Sequence, residues 1–576
     1  MPWAVLGTIR KDPWPAALIT LATLAAASVA AMLAVVFWLS FADGLPGDPA
    51  LTYTLKHYQN ILLDGFTYTV LWNTLVFSGV SLMVSLLFGL PLAWLIERTD
   101  FPGKPVVFTF MTTGLLIPGF AVALGWVFLL HPRIGIFNQA MMTLFGMQEA
   151  PFNIASVIGM GLIEGLSLSP VVFIMTSIVF RTMDASFEES ARMSGATLWQ
   201  TLWEVTLPLA RPGIMAASIY VFAIGFAAFD VPAVIGLSGR IYTFSTYVFQ
   251  QMNPSEGLPE YGAVATLGMI MVLLALGLSL WYGKLQGQAP RFAVVTGKAY
   301  RLHVVRLGRW KAPIIALVCG YFCLTQLLPL AMLIWASGLP YLQAPSAQAF
   351  AAFSLKNYFS LPQEQVLVGM KNTAILMVLV PTLTVAASVA ISWVVVRSRL
   401  SFRGVFDFFA FLPHTVPSIV FSIAAWLLAL FVLRGVVPIY GTVWILVIVY
   451  VIVRLSYGTR MVNSALIQIH RELDESARMS GATTGGVLQG VLLPLLTPTL
   501  LYAWIWIALL TYRELTLAVA LATTNNQPLS VVVWTLVSTS SYGMASTVSI
   551  VMLLLMLPIL LLYWIVARRV GLVAQT

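Results

Sequence analysis

The same nine residues, Glu-Ser-Ala-Arg-Met-Ser-Gly-Ala-Thr, stand at positions 189–197 and again at 475–483, an offset of 286 (475 minus 189). A string of that length does not recur by chance in a chain of 576 residues, so the chain is a duplication and its fold is two copies of one unit. The echo extends outward. Pro208-x-x-x-Pro212 returns as Pro494-x-x-x-Pro498 at the same offset. Nearer the N-terminus, Leu55-Lys56-His57-Tyr58 returns as Leu355-Lys356-Asn357-Tyr358. Asn73-Thr74 returns as Asn372-Thr373, Trp94 as Trp393 and Pro118 as Pro417, all at an offset of 299 (372 minus 73). The fall in offset places 13 (299 minus 286) extra residues in the first copy, in the stretch 131–153.

Each copy is made of long apolar runs. Apolar residues make up 60% of the chain and charged ones only 9%, where a soluble domain carries about a quarter charged residues. Such a chain cannot cover itself with polar surface, so its solvent is lipid. Runs of about 20 apolar residues read as membrane-spanning helices. They fall near 15–41, 68–96, 105–130, 154–180, 209–236 and 262–283, then near 312–338, 372–396, 404–433, 438–459, 497–520 and 543–567. Arg10 and Lys11 precede the first run, which contains Ala25-Ala26-Ala27 but continues to Phe41. That is too long for a cleaved signal, so an uncleaved first span is expected.

The charges set the orientation. With the chain starting in the cytoplasm, that side collects Arg98, Lys104, Arg181, Arg192, Arg211, Arg397, Arg399, Arg403, Arg460, Arg471, Arg478 and Arg568-Arg569. The other side holds only Lys56, Arg133, Arg240, Lys356, Lys371 and Arg434. The positive-inside bias therefore puts both termini in the cytoplasm. The formal charge of +9 reports topology and calls for no nucleic acid. Lys284 to Lys311 carries seven Lys or Arg and no acid, the expected cytoplasmic linker. An even number of spans separates the nonapeptides, so both face the cytoplasm and the halves run parallel about a pseudo-twofold axis along the membrane normal. The expected fold is all-α and integral to the membrane, about twelve spans in two parallel six-helix repeats. Its parts are a first half, 1–285, a basic linker, 286–311, and a second half, 312–576.

The repeated segments, 184–208 and 470–494, read as helix–turn–helix units on the membrane surface. Ser186-x-x-Glu189 has the form of a capping box, Gly195 stops the first short helix, and Thr197-x-x-Gln200 caps a second. The apolar side chains of that second helix, among them Leu198, Trp199, Leu202, Trp203 and Val205, form one face. Pro208 and Pro212 mark re-entry into the membrane. In the second copy Glu472 replaces Ser186, which removes that capping box, and Gly485-Gly486 weakens the start of the second helix. Cys319 and Cys323 lie one turn apart in an apolar run, with no C-x-x-C or His-rich pattern, and read as small apolar fillers. No site of nucleophilic or metal chemistry is indicated.

Glu189, Ala191, Gly195, Val205, Leu207 and Pro208 follow the pattern E-x-A, then Gly, then I/V-x-L-P, and Glu475, Ala477, Gly481, Val491, Leu493 and Pro494 follow it again at identical spacing. In this the chain resembles the permeases of ABC importers, and with two motifs in one chain it resembles the fused permeases of the ferric-iron type. The resemblance covers essentially the whole chain. It implies that Glu189, Ala191, Gly195, Pro208, Glu475, Ala477, Gly481 and Pro494 belong to loops that couple to a nucleotide-binding subunit. No Gly-Lys pair here (Gly103-Lys104, Gly283-Lys284, Gly297-Lys298) is followed by Ser or Thr, so no phosphate-binding loop is read in this chain. ATP and Mg are expected in a partner ATPase, two copies, one under each motif, with no cofactor in this chain. A periplasmic solute-binding protein is likewise implied, in the setting of a bacterial inner membrane.

Charges inside spans are costly and are candidate functional groups. Glu164, Asp230, Arg454, Arg513 and Glu514 are the candidates for the substrate path. Glu164 and Arg454 lie in corresponding fourth spans and are expected to pair or face one another, as path residues or as a structural lock. Asp230 and Arg513-Glu514 lie in corresponding parts of the fifth spans. Asp407 reads as an anchor near the membrane interface, and Pro118 and Pro417, with His414, as breaks in the third spans. Iron is the leading substrate by overall layout. Thiamine, polyamine or phosphonate importers, and an ion-coupled secondary transporter, are the alternatives. A membrane-embedded enzyme or a non-transporting scaffold finds no support in the residues.

Overall fold

A computed structural model describes residues 12–44, 46, 48–254, 256–286 and 305–569. Among them the regular structure is helical, apart from a two-stranded antiparallel pairing of Ala42–Asp43 with Thr52–Tyr53 and a parallel bridge of Thr99 with Val305. In lipid every backbone amide has to find its partner within the segment, so apolar runs of this length become helices. Ten helices are long and apolar enough to cross a membrane. The first half has Trp14–Leu39, Gly65–Arg98, Val157–Thr182, Leu198–Ala227 and a sixth span, Tyr261–Gln286. The second half has Gly308–Ser337, Gln363–Arg397, Val443–Gln468, Thr484–Tyr512 and a twelfth span, Tyr542–Arg569. The third span of each half is a bent pair. Lys104–Gly114 meets Gly119–Leu130 at 96°, and Arg403–Thr415 meets Ser418–Val432 at 108°. Both bends sit at the prolines the sequence singled out. Proline forces the residue before it out of the helical region, and Val416 is accordingly extended at φ −92, ψ 130.

The repeats noticed in the sequence are hydrogen bonds at equivalent places. Thr74 Oγ1 accepts from the Phe244 amide at 2.8 Å, and Thr373 Oγ1 accepts from the Leu529 amide at 2.9 Å. Asn73 Nδ2 donates to the Tyr242 carbonyl and Asn372 Nδ2 to that of Gln527, at 3.2 and 3.1 Å. Each Asn-Thr thus ties the start of a second span to the segment that turns back after a fifth span. That segment carries short helices, Phe244–Met252 and Leu529–Ser538, which the apolar-run reading assigned to no span. The Tyr of Leu-Lys-x-Tyr also works twice. Tyr58 Oη donates to Ser40 Oγ at 2.8 Å, and Tyr358 Oη and Ser337 Oγ share a bond of 3.0 Å, each fixing the end of a first span. The extra residues of the first half hold the helix Ile136–Phe145, anchored by buried Asn138 through Leu130 and Phe152.

The halves exchange their first spans. Trp14–Leu39 packs against Gln363–Arg397 and the bent ninth span of the second half. The seventh span lies on the first half: Gln326 Nε2 donates to Phe110 O at 3.0 Å, Tyr321 Oη shares a hydrogen with Ser169 Oγ, and Phe88 stacks on Tyr321 at 5.2 Å. Sequence halves and packing halves therefore differ by one helix. Cys319 and Cys323 are on the exposed side of this span, so they fill no core; they face outward. Most of the proposed linker, residues 287–304, lies outside the described residues, as do Arg10 and Lys11. Its described end docks on the second span, with the Leu307 amide donating to Asp100 Oδ1 at 2.8 Å and Lys311 paired to Asp100 at 3.3 Å.

The start of the first span meets the second repeated loop. Asp12 accepts from the Thr484 amide. Burial works against its charge, but the Thr484 hydrogen bonds outweigh that and hold the carboxyl below its usual range. Trp14 lies against Gly485, where any Cβ would overlap its ring. The first copy has Trp199 at the position equivalent to Gly485. Gly485→Ala is therefore expected to destabilise the protein by the overpacking cost of about 1–3 kcal/mol, measured as thermal unfolding. Adding Trp14→Ala should remove that increment; an unchanged Gly485→Ala midpoint would show that the contact does not hold the helix start.

Candidate functional site

Both repeated loops stand on one face of the helical body. The first span starts beside Thr484 and ends beside Tyr58, and the second span then returns from there to Arg98, beside the first loop. The loops are built alike. Ser186–Met193 and Arg471–Met479 form the first short helices, and Gly195 and Gly481 end them with φ of +90 and +87, a conformation that favours glycine. Thr197 and Gln200 close the expected capping box, and Thr483 accepts from the Gly486 amide in the second copy, so the helix there survives its two glycines. The Ser186-x-x-Glu189 box does not form. Asp184 Oδ1 already takes the Ser186 amide at 2.9 Å, and Glu189 N bonds Ala185 O at 3.0 Å, so the helix starts one residue early. Nor does the second loop helix stop before the membrane. It passes through one π turn, Leu202–Thr206 or Leu488–Leu492, straight into the fifth or eleventh span. The wider i→i+5 turn relieves the carbonyl that Pro208 or Pro494 would otherwise strike. Met193 and Met479, each 89% exposed, are the outermost apolar side chains of the two loops.

Glu189 is half-buried in the first turn of its helix, and Glu475 is exposed just past the first turn of its own, which starts one residue earlier in the repeat. Their preceding neighbours, Glu188 and Asp474, turn inward instead. Arg98, almost wholly buried, lies 3.6 Å from Glu188, and Arg397 lies 3.0 Å from Asp474. Partial burial pushes the Asp474 carboxyl up from its usual range, against the pull of Arg397, Arg478 and Arg471. The sequence reading counted both arginines only as topological charges and passed over both acids. The signal was present: Arg98 to Arg397 and Glu188 to Asp474 repeat at the offsets of 299 and 286.

Above the loops lies a cavity of about 1840 Å³. Its lining runs from Glu97, Lys104 and Arg181, at helix ends on the loop face, to Glu164, Asp230 and Thr516 deep inside. All five candidate path residues line it. Glu164 is on the fourth span, but Asp230 and Glu514 sit just past the ends of the fifth and eleventh spans, Ala227 and Tyr512, with Arg513 at the cap. The expected span through 236 ends early because Ala228 turns extended and its carbonyl accepts from Ser245 Oγ. Irregular backbone at this depth is tolerated where it lines a cavity.

Arg454 pairs with Glu514, and its guanidinium also donates to Leu510 O at 3.1 Å. This replaces the expected pairing with Glu164. At the offset of 286, Glu164 matches Tyr450, one helical turn from Arg454, so the two charges are out of register. Glu164 stands instead within the field of Asp230 and Arg513. Asp230 accepts from Thr516 Oγ1 at 3.3 Å, a contact between equivalent positions of the two halves. His414 stacks on Tyr220 of the other half at 5.6 Å, beside the bend at Pro417. Asp407 pairs with Arg460 at 3.4 Å near the loop face. Among the described residues no group of three or more His, Cys, Asp or Glu side chains is placed to hold a metal ion.

A duplicated helical body with a large charged cavity and like loops on one face is a membrane permease of two fused halves. Residues 85–287 and 383–572 match the family described as binding-protein-dependent transport system inner membrane component. The chain belongs to that family and is a multi-pass inner-membrane transport subunit. It is 25% identical over 535 residues to the ferric transport system permease protein FbpB of Actinobacillus pleuropneumoniae, covering 89% of this chain and 74% of that one. It is 26% identical over 471 residues to the putative ferric transport system permease protein FbpB 1 of Haemophilus influenzae, covering 78% and 70%. The molybdenum transport system permease protein ModB of Escherichia coli (strain K12) is 25% identical over 228 residues, 39% of this chain but 96% of that one.

Proposed function

We propose that this chain is the translocation subunit of an ATP-driven importer of ferric iron. The observation that carries the reading is the pair of like loops, Glu189–Pro208 and Glu475–Pro494, standing on one face beneath a large cavity. Each loop docks one copy of a separate ATPase subunit, which binds the ATP and Mg. That face is cytoplasmic, as are both termini, and the solute-binding protein delivers to the opposite, periplasmic face. ATP binding draws the two loops together and rocks the halves; hydrolysis returns the cavity to the cytoplasm. Iron is supported by the names of the two ferric relatives; the deep end of the cavity carries both signs of charge, three carboxylates and two guanidinium groups. The test is ATPase activity and uptake in proteoliposomes holding this chain and its co-purifying ATPase. Stimulation by a ferric-loaded binding protein and a ratio of two ATPase copies per chain are expected. Gradient-driven uptake with no ATPase recruited would refute the importer, and stimulation only by another solute would refute iron.

A further inference from the structure

Arg98 is the largest fully buried side chain among the described residues, and it sits where a span of 34 residues ends against a surface loop. Its guanidinium reaches three separate elements. It ends the second span, donates through Nη2 to the carbonyl of Met183 at the end of the fourth span at 2.9 Å, and faces Glu188 on the loop helix at 3.6 Å. Glu188 is fixed in turn by Thr206, whose Oγ1 donates to it at 2.7 Å from the π turn. The second half repeats the arrangement at equivalent positions. Arg397 Nη2 donates to Ile469 O at 2.7 Å and to Leu466 O at 3.2 Å, and Nε lies 3.0 Å from Asp474. Met183 and Ile469, like Glu188 and Asp474, are 286 apart. The acid has changed from Glu to Asp and the sequence on its N-terminal side has diverged, yet the clasp is present in both copies.

The far end of the same helix is also tied. Asn73 and Thr74 hold the Tyr242 carbonyl and the Phe244 amide, and Asn372 and Thr373 hold Gln527 and Leu529. These are the segments that follow Asp230 and Glu514 in the chain, and Ser530 Oγ donates directly to Glu514 O at 2.7 Å. From Asn73 to Arg98 a helix spans about 38 Å. Along it, the second span packs closely on the fourth: a Cβ on Gly89 would come within 2.5 Å of Ser169 O, and one on Gly165 within 2.7 Å of Ser81 O. A helix clamped at both ends and packed this tightly moves as a rod.

We infer that Arg98 and Arg397 are positioning residues that fasten each loop helix to the second or eighth span, so that displacement of the loop is delivered along that span to the charged end of the cavity. This rests on the reading of the loops as ATPase-docking elements. The clasp joins each loop to a span that does not flank it in the chain, and in the second half Arg471 adds a bond to Val396 O of the eighth span at 2.9 Å.

The test uses the assembled complex with its ATPase and ferric-loaded binding protein. Arg98→Ala with Arg397→Ala is expected to keep ATPase recruitment and basal hydrolysis within about twofold while lowering stimulated uptake roughly tenfold or more, the worth of a lost charge-assisted contact. Arg98→Lys with Arg397→Lys, which keeps the charge facing the acid, should recover part of it. If the alanine variant does not assemble, Glu188→Gln with Asp474→Asn removes the charge pairs at nearly constant shape, and the same uncoupling is expected. Acting as one unit, arginine and acid substitutions should combine non-additively. Fully coupled uptake in an assembled arginine or acid variant would overturn the clasp. The loop reading is checked apart from it, by ATPase recruitment in a Glu189→Lys, Glu475→Lys variant: if recruitment is lost there while the clasp variants stay coupled, only the clasp fails.

Discussion

Replacing Glu189 and Glu475 together by Lys is expected to abolish uptake and to release the ATPase subunit from the membrane. Glu189 stands in the first turn of a short helix, where the exposed amide dipoles favour negative charge, and Glu475 stands just past the first turn of its own. Lysine there reverses the charge the dipole stabilises and the charge offered to the partner. At a hot-spot position such a change weakens docking by about 2 kcal/mol or more, roughly thirtyfold. Each single variant leaves one loop docked. Because the halves move against each other, a single variant should lose most uptake and retain part of the bound ATPase, and the double should lose both. Glu475→Lys by itself should leave the body unaffected, since Glu475 is exposed and Asp474 carries the pairing with Arg397. The measurements are ATPase co-purification, binding-protein-stimulated hydrolysis and thermal midpoint. A double variant that still recruits ATPase and still transports would refute the assignment of these loops as docking elements.

What the sequence made legible follows from where selection kept both copies alike. Asn-Thr and Leu-Lys-x-Tyr meet equivalent partners in both halves, backbone groups for Asn-Thr and serine hydroxyls for the tyrosines, and with the nonapeptide and the bend prolines they stand as visible repeats. Arg98 and Arg397 repeat too, but an arginine at the cytoplasmic end of a span looks like an orientation signal, and its burial is a tertiary fact. The loop helix's continuity with the fifth span was hidden because Pro208 reads as a helix start; only the π turn before it shows how the helix passes through. The exchange of first spans leaves no periodicity or motif, since a helix apolar on all sides does not announce its partner. The match of Glu164 with Arg454 failed on register: corresponding helices were right, and a displacement of one turn gave Arg454 a different acid. The charges of the path break the pseudo-symmetry that the repeats keep, with Tyr450 opposite Glu164 and Thr516 opposite Asp230. A single solute on the axis needs only one set of groups, so that set has no duplicate by which to be recognised.

If the cavity charges divide into a lock and a path, two sets of variants are expected to tell them apart. Arg454 and Glu514 are nearly buried, at 8% and 12% side-chain exposure, and bonded to each other. Arg454→Leu leaves Arg513 alone among Glu164, Asp230 and Glu514, and breaking one side of a buried pair costs about 3–5 kcal/mol. The expected result is a large drop in thermal midpoint and in yield. Arg454→Leu with Glu514→Leu should recover most of it, because the uncompensated charge is gone. Glu164→Gln with Asp230→Asn changes no shape and removes two carboxylates at the deepest part of the cavity, where Thr516 can still donate to residue 230. That variant is expected to fold and to recruit ATPase normally, while ferric uptake falls tenfold to a hundredfold, the worth of one or two charge-assisted contacts at about 1.5–3 kcal/mol each. If the neutral pair transports iron at the original rate, these carboxylates hold the halves together and the cation passes by the carbonyls and hydroxyls of the bent third spans. If instead the neutral pair is as unstable as Arg454→Leu, Arg513 has lost its own counter-charges and all five residues form a single lock.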